Sequence, residues 1–149
     1  LTADYSHSNE QIRQLLAGEV KAVPNVDSGY VDVRDVAALH LLAMTSTKAA
    51  GERFLATTGE TLSMLEVANI LREAFPAYAE KLPTKKIPNA VLKAAAVADP
   101  KLKMLASLTG KYAETSNQKA KNMLGWQPRP AREAILATAS SMITLGIVK

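Results

Sequence analysis

The 149-residue chain contains no cysteine, which excludes disulfide bonds, thiolate nucleophiles and cysteine-ligated zinc. Because chains without disulfides are typical of the reducing cytoplasm, we expect a cytoplasmic location. The chain also lacks an uninterrupted run of about 18 apolar residues, the length that a membrane-spanning helix requires. Its longest weakly polar stretch, residues 90–98, is short and contains Lys93. We therefore expect no membrane partner.

Glycine is scarce and spread along the chain. There are seven glycines, and no two of them lie closer than eight residues apart. The dinucleotide-binding fingerprint and the Walker loop both need closely spaced glycines, because the backbone must approach the phosphates. The sequence therefore predicts that this chain alone binds neither NAD nor NADP.

Histidine and aromatic residues are also few. The two histidines, His7 and His40, lack the spacing of metal ligands, so we expect no metal site. His40 stands among leucines, which favours a buried core histidine over a catalytic one. His7 follows Ser6 and precedes Ser8, but sequence proximity alone does not indicate a nucleophile–base pair. The seven aromatic residues do not alternate with basic clusters, so a stacking surface for nucleic acid is not indicated.

Charge changes sign along the chain. Residues 1–80 carry 6 basic and 11 acidic side chains, whereas residues 81–132 carry 11 basic and 2 acidic ones. The basic segment is compatible with an anionic partner such as a nucleic acid, or with a lysine-rich face in contact with water. We expect the solvated face and no nucleic-acid partner.

Capping residues, glycine stops and apolar periodicity predict a mostly helical chain. Helices are predicted over residues 9–17, 36–45, 64–75, 89–98, 100–110 and 117–124, and from Pro130 onward. Short strands are predicted over residues 30–33, 53–57 and 85–88. Trp126, between Gly125 and Pro128, is expected to pack the preceding turn onto the core.

The helix predicted over Val36–Thr45 is apolar almost all round. A helix without a polar face is buried on more than one side, so this helix indicates a covering partner. Asp35 is expected to cap it, and Asp32 is expected to lie in the preceding strand. A helix cap and a strand position explain these two carboxylates better than a catalytic acid/base pair would.

Four segments, in this order and spacing, resemble the signatures of one enzyme family. They are Tyr30–Ala37 (Tyr-Val-Asp-Val-Arg-Asp-Val-Ala), Ala50–Leu55, Ser63–Phe75 and Thr115–Arg129 (ending Leu-Gly-Trp-Gln-Pro-Arg). The family is the extended short-chain dehydrogenases/reductases of the NAD-dependent epimerase/dehydratase type. The chain is most similar to the second half of its dihydroflavonol reductase and aldehyde or ketone reductase branch.

The resemblance implies an α/β fold that is mostly helical with a few short strands. It would be the smaller C-terminal domain of a Rossmann-type reductase, with the cofactor domain absent. Residues 1–149 would then form a single substrate-binding domain, a fragment of a larger chain. The family's first half binds NAD or NADP and supplies a Ser/Tyr/Lys catalytic set. Since no Tyr-x-x-x-Lys occurs here, we expect no catalytic residue and no activity in the fragment alone.

For the parent chain, the resemblance implies hydride transfer from the nicotinamide to a small carbonyl substrate, or the related chemistry of a sugar-nucleotide epimerase or dehydratase. The parent's tyrosine would donate the proton, and its lysine would lower the pKa of that tyrosine. The residues expected to line the substrate pocket are Tyr5, Ser8, Ser28 and Tyr30, each of which could instead serve a turn, a cap or the core. Arg34 is expected to form a surface ion pair rather than an anion site.

Two other classes remain open. One is a non-catalytic regulator that senses a dinucleotide, and the other is a basic nucleic-acid-binding module built on residues 81–132. In the leading hypothesis, the partners are a small carbonyl substrate and the missing N-terminal cofactor domain. Without that domain, the apolar helix would expose an apolar patch and the chain would tend to self-associate.

Overall fold

The computed structural model describes residues 7–97, 100–110 and 114–148. Across these residues the chain forms helices with two short strands between them, as predicted. The helices are α1 (His7–Ala17), α2 (Val33–Thr45), α3 (Met64–Ala74), α4 (Asn89–Ala95), α5 (Pro100–Leu108), α6 (Gln118–Leu124) and α7 (Ala131–Thr144). The strands β1 (Asp27–Gly29) and β2 (Thr61–Ser63) pair in a two-stranded sheet. Short 3-10 helices lie at Thr47–Ala49 and Pro76–Tyr78.

Contacts within the chain divide it into two compact units. Unit 1 comprises residues 1–28, 62–112 and 135–149, and unit 2 comprises residues 29–61 and 113–134. The first four residues of α7 belong to unit 2 and the remainder to unit 1. The expectation of a single domain over residues 1–149 stays a prediction.

Unit 1 contains the amphipathic helices α1 and α3. Helix α3 begins with a capping box, in which the Ser63 hydroxyl accepts from the Glu66 N–H and the Glu66 carboxylate accepts from the Ser63 N–H. This arrangement satisfies two backbone donors at the helix start and was predicted from the sequence. The buried residues of unit 1 lie mainly on three helices: Ile12, Leu15 and Leu16 of α1, Val67, Ala68 and Leu71 of α3, and Ile135, Ala139 and Met142 of α7.

The strand predicted over residues 85–88 is only an isolated bridge. Lys86 pairs with Val23 in parallel orientation, through hydrogen bonds from Val23 N–H to the Lys85 carbonyl and from Ile87 N–H to the Val23 carbonyl. Pro88 follows immediately and lacks the N–H that a longer strand would need. The local pattern therefore identified extended backbone but overestimated the length of its pairing.

Unit 2 is organised around α2, which packs against α6. Its apolar core centres on Leu39, Ala120 and Trp126. The partly buried residues packed against this core are Val31, Leu42, Phe54, Ala56 and Leu124. Trp126 is only 2% exposed, which confirms its predicted packing role. Gly125 ends α6 at φ +66°, a left-handed conformation that a residue with a Cβ rarely adopts.

Two predicted strands of unit 2 are not formed. Residues 30–32 and 53–57 have no strand assignment, although both stretches lie outside the helices. Val33, placed in the first strand by the sequence pattern, is instead the first residue of α2. The prediction was wrong because a strand requires a hydrogen-bonded neighbour, which alternation of side chains cannot guarantee.

Candidate functional site

Unit 2 contains a cleft of about 230 Å³ between two extended stretches of backbone. One wall is formed by Gly29, Tyr30 and Val31, and the other by Leu55, Ala56 and Thr57, with Thr115 completing the lining. Gly29 lies beside the two threonines of the cleft, since a Cβ added to it would be 3.6 Å from the Thr57 Oγ1 and 3.9 Å from the Thr115 Oγ1. The lining carries no charged side chain, so the cleft offers contact area and hydroxyl groups rather than electrostatic attraction.

The polar side of the cleft is held by residues distant in sequence. The hydroxyls of Thr57 and Thr115 are 3.1 Å apart and share a hydrogen bond. The buried Asn117 amide donates to the carbonyls of Thr57 and Thr58, each at 2.9 Å. Because these bonds satisfy the carbonyls that end the 53–57 stretch, they fix the wall that the stretch provides.

Asp32 caps α2 instead of lying in a strand. Its carboxylate accepts from the Arg34 N–H at 2.9 Å and from the Arg34 guanidinium at 2.8 and 2.6 Å. These bonds from Arg34 lower the pKa of Asp32 to about 2, although burial of the carboxyl opposes the shift. Arg34 thus forms the ion pair that the sequence suggested, and it is already engaged by a carboxylate.

Asp35, predicted to cap α2, is buried and joins α2 to the chain that follows α6. Its carboxylate accepts from the Arg129 N–H at 2.8 Å and from the Arg129 guanidinium at 2.7 Å. The Trp126 indole N–H donates to the Asp35 carbonyl at 2.8 Å. We refer to Asp35, Trp126 and Arg129 as the Asp35 cluster. The cap prediction was wrong because the partner lies 94 residues away, beyond any local pattern.

One face of α2 carries an apolar stripe that the chain leaves exposed. It consists of Val33, Ala37, Leu41 and Met44, which follow one another at helical spacing. Val33, Leu41 and Met44 are 77%, 65% and 81% exposed. The prediction that α2 is buried on more than one side is therefore not met within this chain.

His40 lies on the same exposed side of α2, which corrects the prediction of a core histidine. Its ring Nδ1 is 2.8 Å from the Val36 carbonyl oxygen, one turn earlier in the helix. The flanking leucines gave a misleading signal, since Leu39 is buried whereas Leu41 is exposed.

The four residues predicted to line a substrate pocket have different outcomes. Tyr5 lies outside the described residues, as does the side chain of Ser8. Ser28 is a half-buried residue of β1 in unit 1. Tyr30 lines the cleft of unit 2. Their proposed role in binding substrate stays a prediction.

Sequence reasoning singled out Tyr30, Asp35 and Trp126 but missed the other polar residues of the cleft and of the Asp35 cluster. Thr115 and Asn117 lie in the segment Thr115–Arg129 of the family resemblance, but nothing in that pattern marked them, or Thr57, as residues of a cleft. Arg129 had a weak signal, since an arginine after Trp126 and Pro128 could meet one of the two early aspartates. Only the fold brings these segments together.

The described residues show neither a metal site nor a membrane span. No group of three or more histidine or acidic residues lies close enough to hold a metal ion. Of the helices described, none combines the length and the apolar character that crossing a bilayer requires. The cleft fits a dinucleotide poorly, because it lacks charge and is smaller than the about 300–1,000 Å³ typical of ligand pockets.

Comparison with known proteins relates the chain to NADPH-dependent reductases. No protein-family model matches it. The NADPH-dependent methylglyoxal reductase of Saccharomyces cerevisiae is 31% identical over 121 residues, which cover 81% of this chain and 31% of the relative. The cinnamoyl-CoA reductase 1 of Oryza sativa subsp. japonica is 41% identical over 71 residues, covering 48% of this chain and 20% of the relative.

A solved structure supports the same relationship. The yeast methylglyoxal/isovaleraldehyde reductase complexed with NADPH matches this fold with a TM-score of 0.71 at 28% identity. The match covers 97% of this chain and 38% of that protein. This chain therefore has the fold of part of a Rossmann-type reductase, and it spans about a third of the length of the curated yeast relative.

Proposed function

Because this chain is a homologue of part of the extended short-chain dehydrogenases/reductases, we propose that it supplies the substrate-side part of an NADPH-dependent reductase of small carbonyl compounds. The observation that carries the proposal is the exposed apolar stripe of α2, in a chain that matches only part of each relative. Exposing such a stripe to water costs free energy, and this cost favours another protein surface packing over the stripe. We propose that this surface belongs to the cofactor-binding part of the parent reductase.

The chemistry of the described residues indicates which part of the reductase would bind the substrate and which would bind the cofactor. They provide an uncharged cleft and a part-buried ion pair between Asp35 and Arg129, but no glycine-rich phosphate site. NADPH would therefore be held by the other part of the reductase. This chain would surround the carbonyl substrate and exclude water from it.

We keep Tyr5, Ser8, Ser28 and Tyr30 as the proposed substrate-contacting residues. The support is strongest for Tyr30, which lines the cleft of unit 2. A tyrosine presents both a flat apolar ring and a hydroxyl, which suits contact with a small carbonyl compound. The proposed location of the parent reductase is the cytoplasm.

A chimera tests the proposal. The chain is joined to the part of the yeast methylglyoxal reductase that it does not match, and NADPH oxidation is followed with methylglyoxal and other small aldehydes. We expect the chimera to bind NADPH and to reduce at least one aldehyde, whereas the chain alone does neither. In the chimera, Tyr30→Phe and Ser28→Ala should raise KM more than they lower kcat, since neither residue is proposed to react.

The matched control is Lys48→Ala, a change in the exposed 3-10 helix of unit 2, which should leave both constants unchanged. A chimera that binds NADPH without reducing any carbonyl compound would favour a non-catalytic dinucleotide sensor. Tight NADPH binding by the chain alone would contradict the proposed division of work.

A further inference from the structure

We propose that helices α4 and α5 bind the surface of an anionic phospholipid membrane through exposed apolar and lysine side chains. We call these two helices, together with Ala96 and Val97 that follow α4, the α4–α5 arm. The inference goes beyond the proposed function, since neither a carbonyl substrate nor NADPH takes part in it. The expectation of no membrane partner concerned helices that cross a bilayer, whereas a helix that lies on its surface needs no spanning length.

Both ends of the arm are attached to the same short stretch of unit 1. Before α4, the Val23 N–H donates to the Lys85 carbonyl at 3.1 Å and the Ile87 N–H donates to the Val23 carbonyl at 2.7 Å. After α5, the Gly110 N–H donates to the Asn25 carbonyl at 3.2 Å. Between these attachments, α4 and α5 pack against each other. The exposed side of the arm is therefore formed before any partner arrives, which lowers the entropic cost of binding.

The outer side of α4 is apolar. Leu92 and Ala96, one turn apart, are buried and mark its inner side. The exposed residues on the other side are aliphatic: Ala90, Val91, Ala94, Ala95 and Val97. Val91 and Val97 are 57% and 89% exposed. A helix that faces only water carries polar residues on that side, so solvation does not explain this face.

Helix α5 also exposes apolar side chains, next to a lysine. Met104 and Leu108, one turn apart, are 70% and 43% exposed. Lys103 precedes Met104 and is exposed as well. Aliphatic side chains beside lysine are typical of helices that lie in the interface between the headgroups and the acyl chains of a membrane.

The charge of the surrounding segment is positive. Residues 81–113 contain seven lysines and one acidic residue, Asp99. Lys85, Lys93 and Lys103 are exposed, and none of the described side chains of the arm is acidic. Each lysine close to an anionic membrane raises the affinity about fivefold. Its aliphatic stem can lie along the apolar layer while its ammonium stays at the phosphates.

An anionic membrane explains this combination better than other occupants do. A second copy of the chain would place the same lysines against each other. A nucleic acid would attract the lysines but not the aliphatic side chains, and residues 81–111 contain no aromatic residue on which a base could stack. A phospholipid surface provides anionic headgroups for the lysines and acyl chains for the apolar residues.

Vesicle flotation tests the inference with the chain alone. The chain is mixed with vesicles of phosphatidylcholine, either pure or with about 30% phosphatidylserine, and is centrifuged in a density gradient. Protein bound to vesicles floats, whereas self-associated protein does not. We expect an affinity at least about tenfold higher for the anionic vesicles. This affinity should fall at least about fivefold between about 0.1 and about 0.5 M salt, because salt screens the lysines.

A matched pair of variants tests the lysines. Lys93→Gln with Lys103→Gln should weaken binding to the anionic vesicles at least about tenfold. Lys48→Gln with Lys121→Gln removes the same charge from exposed positions of unit 2 and should leave the affinity within about threefold.

A second matched pair tests the apolar side chains. Val97→Ser with Met104→Ser should weaken binding at least about fivefold, since two aliphatic groups no longer enter the membrane. Leu41→Ser with Met44→Ser changes the apolar stripe of α2 instead and should leave the affinity within about threefold.

Equal affinity for neutral and anionic vesicles would overturn the inference, as would control variants that weaken binding as much as the variants of the arm. Binding to polyglutamate without binding to vesicles would also overturn it and indicate an acidic protein partner. The folded chimera should float with the anionic vesicles and depend on Lys93 and Lys103 as the chain does. A chimera that reduces carbonyl compounds but does not float would overturn the inference and leave the proposed function intact.

Discussion

The Asp35 cluster shows how single residues join segments that are distant in sequence. Asp35 is buried and satisfies both the backbone N–H and the guanidinium of Arg129, while its carbonyl accepts from Trp126. The two segments that contribute these residues are also two of the four that carry the family resemblance. The two segments therefore occur together for a physical reason, because Asp35 in one segment hydrogen-bonds with Arg129 and Trp126 in the other.

Replacing Asp35 should destabilise the chain more than replacing Arg129. Asp35→Ala leaves the part-buried Arg129 N–H without an acceptor and removes a buried carboxylate, so we expect the free energy of unfolding to fall by about 2–4 kcal/mol. Arg129→Ala keeps that N–H and removes a half-exposed side chain, so we expect a loss of about 1 kcal/mol. Urea titration of both variants and of the double variant measures these losses. Trp126 is the only tryptophan and reports the transition by fluorescence.

The double-mutant cycle provides the control for the Asp35 cluster. A coupling energy near zero between positions 35 and 129 would show that the ion pair contributes nothing beyond the separate side chains. Equal losses for the two single variants would contradict the importance of the backbone hydrogen bond.

Asp32 should make the stability of the chain depend on acid pH. Its pKa in the folded chain is about 2, below the ordinary value of 3.8, because Arg34 hydrogen-bonds to the charged form. A lowered pKa means that this stabilisation is present in full above the ordinary value and is lost as the pH falls towards about 2. At neutral pH, Asp32→Ala should lower the free energy of unfolding by about 1–2 kcal/mol, since it also removes the cap of α2.

Urea titrations of both proteins between pH 7 and pH 2 test this dependence on Asp32, and the difference between the native chain and Asp32→Ala should shrink on the acid side. Glu80→Ala, at an exposed position, should have an effect below about 0.5 kcal/mol at neutral pH. A difference that stays constant down to pH 2 would rule out the charge of Asp32 as its source.

At the residue scale, the sequence revealed what depends on neighbours along the chain. Ser63 pairs with Glu66 three residues later, as predicted from the capping-box pattern. Arg34 was predicted to form an ion pair, but its partner Asp32, two residues earlier, was placed in a strand instead. His40 and Asp35 were misjudged because their surroundings are set by the tertiary fold. Burial and distant ion pairs cannot be read from a local pattern.

Among the elements, helix α3 is stabilised at its start by a capping box. Its capping box satisfies two backbone donors, and the Ser63 side chain is buried. We expect Ser63→Ala to lower the free energy of unfolding by about 1–2 kcal/mol, as measured by urea titration. Ser46→Ala is the matched control, because Ser46 precedes a 3-10 helix without capping it through its side chain and should cost less than about 0.5 kcal/mol. Equal costs for the two serines would contradict the role of the box.

Helices were easier to predict than strands for a physical reason. A helix satisfies its backbone within one segment, so caps, glycine stops and periodicity define it almost completely. A strand needs a neighbour, and residues 53–57 have the alternation of a strand without that neighbour. Helix α2 began three residues before its predicted start because Asp32, rather than Asp35, caps it.

The whole molecule was recognised through its motifs rather than through any one site. The sequence indicated a reductase fragment, and the reductase relationship and the mostly helical fold were confirmed. The cleft in unit 2 could not be foreseen, because it is formed by backbone from segments about 25 residues apart together with Thr115. The substrate-contacting role of the four predicted residues remains to be measured.

The chain alone should self-associate through the apolar stripe of α2. Val33, Leu41 and Met44 expose a continuous apolar face to water, and pairing two such faces would remove it from solvent. At micromolar concentrations we expect light scattering to show dimers or larger species, together with binding of a dye that reports apolar surface. The double variant Leu41→Lys with Met44→Lys should be monomeric, whereas Val91→Lys, which changes an exposed apolar residue of α4 in unit 1, should associate as the native chain does. A native chain that stays monodisperse and monomeric without binding the dye would contradict a role for the stripe, as would a Val91→Lys variant that dissociates to the same extent.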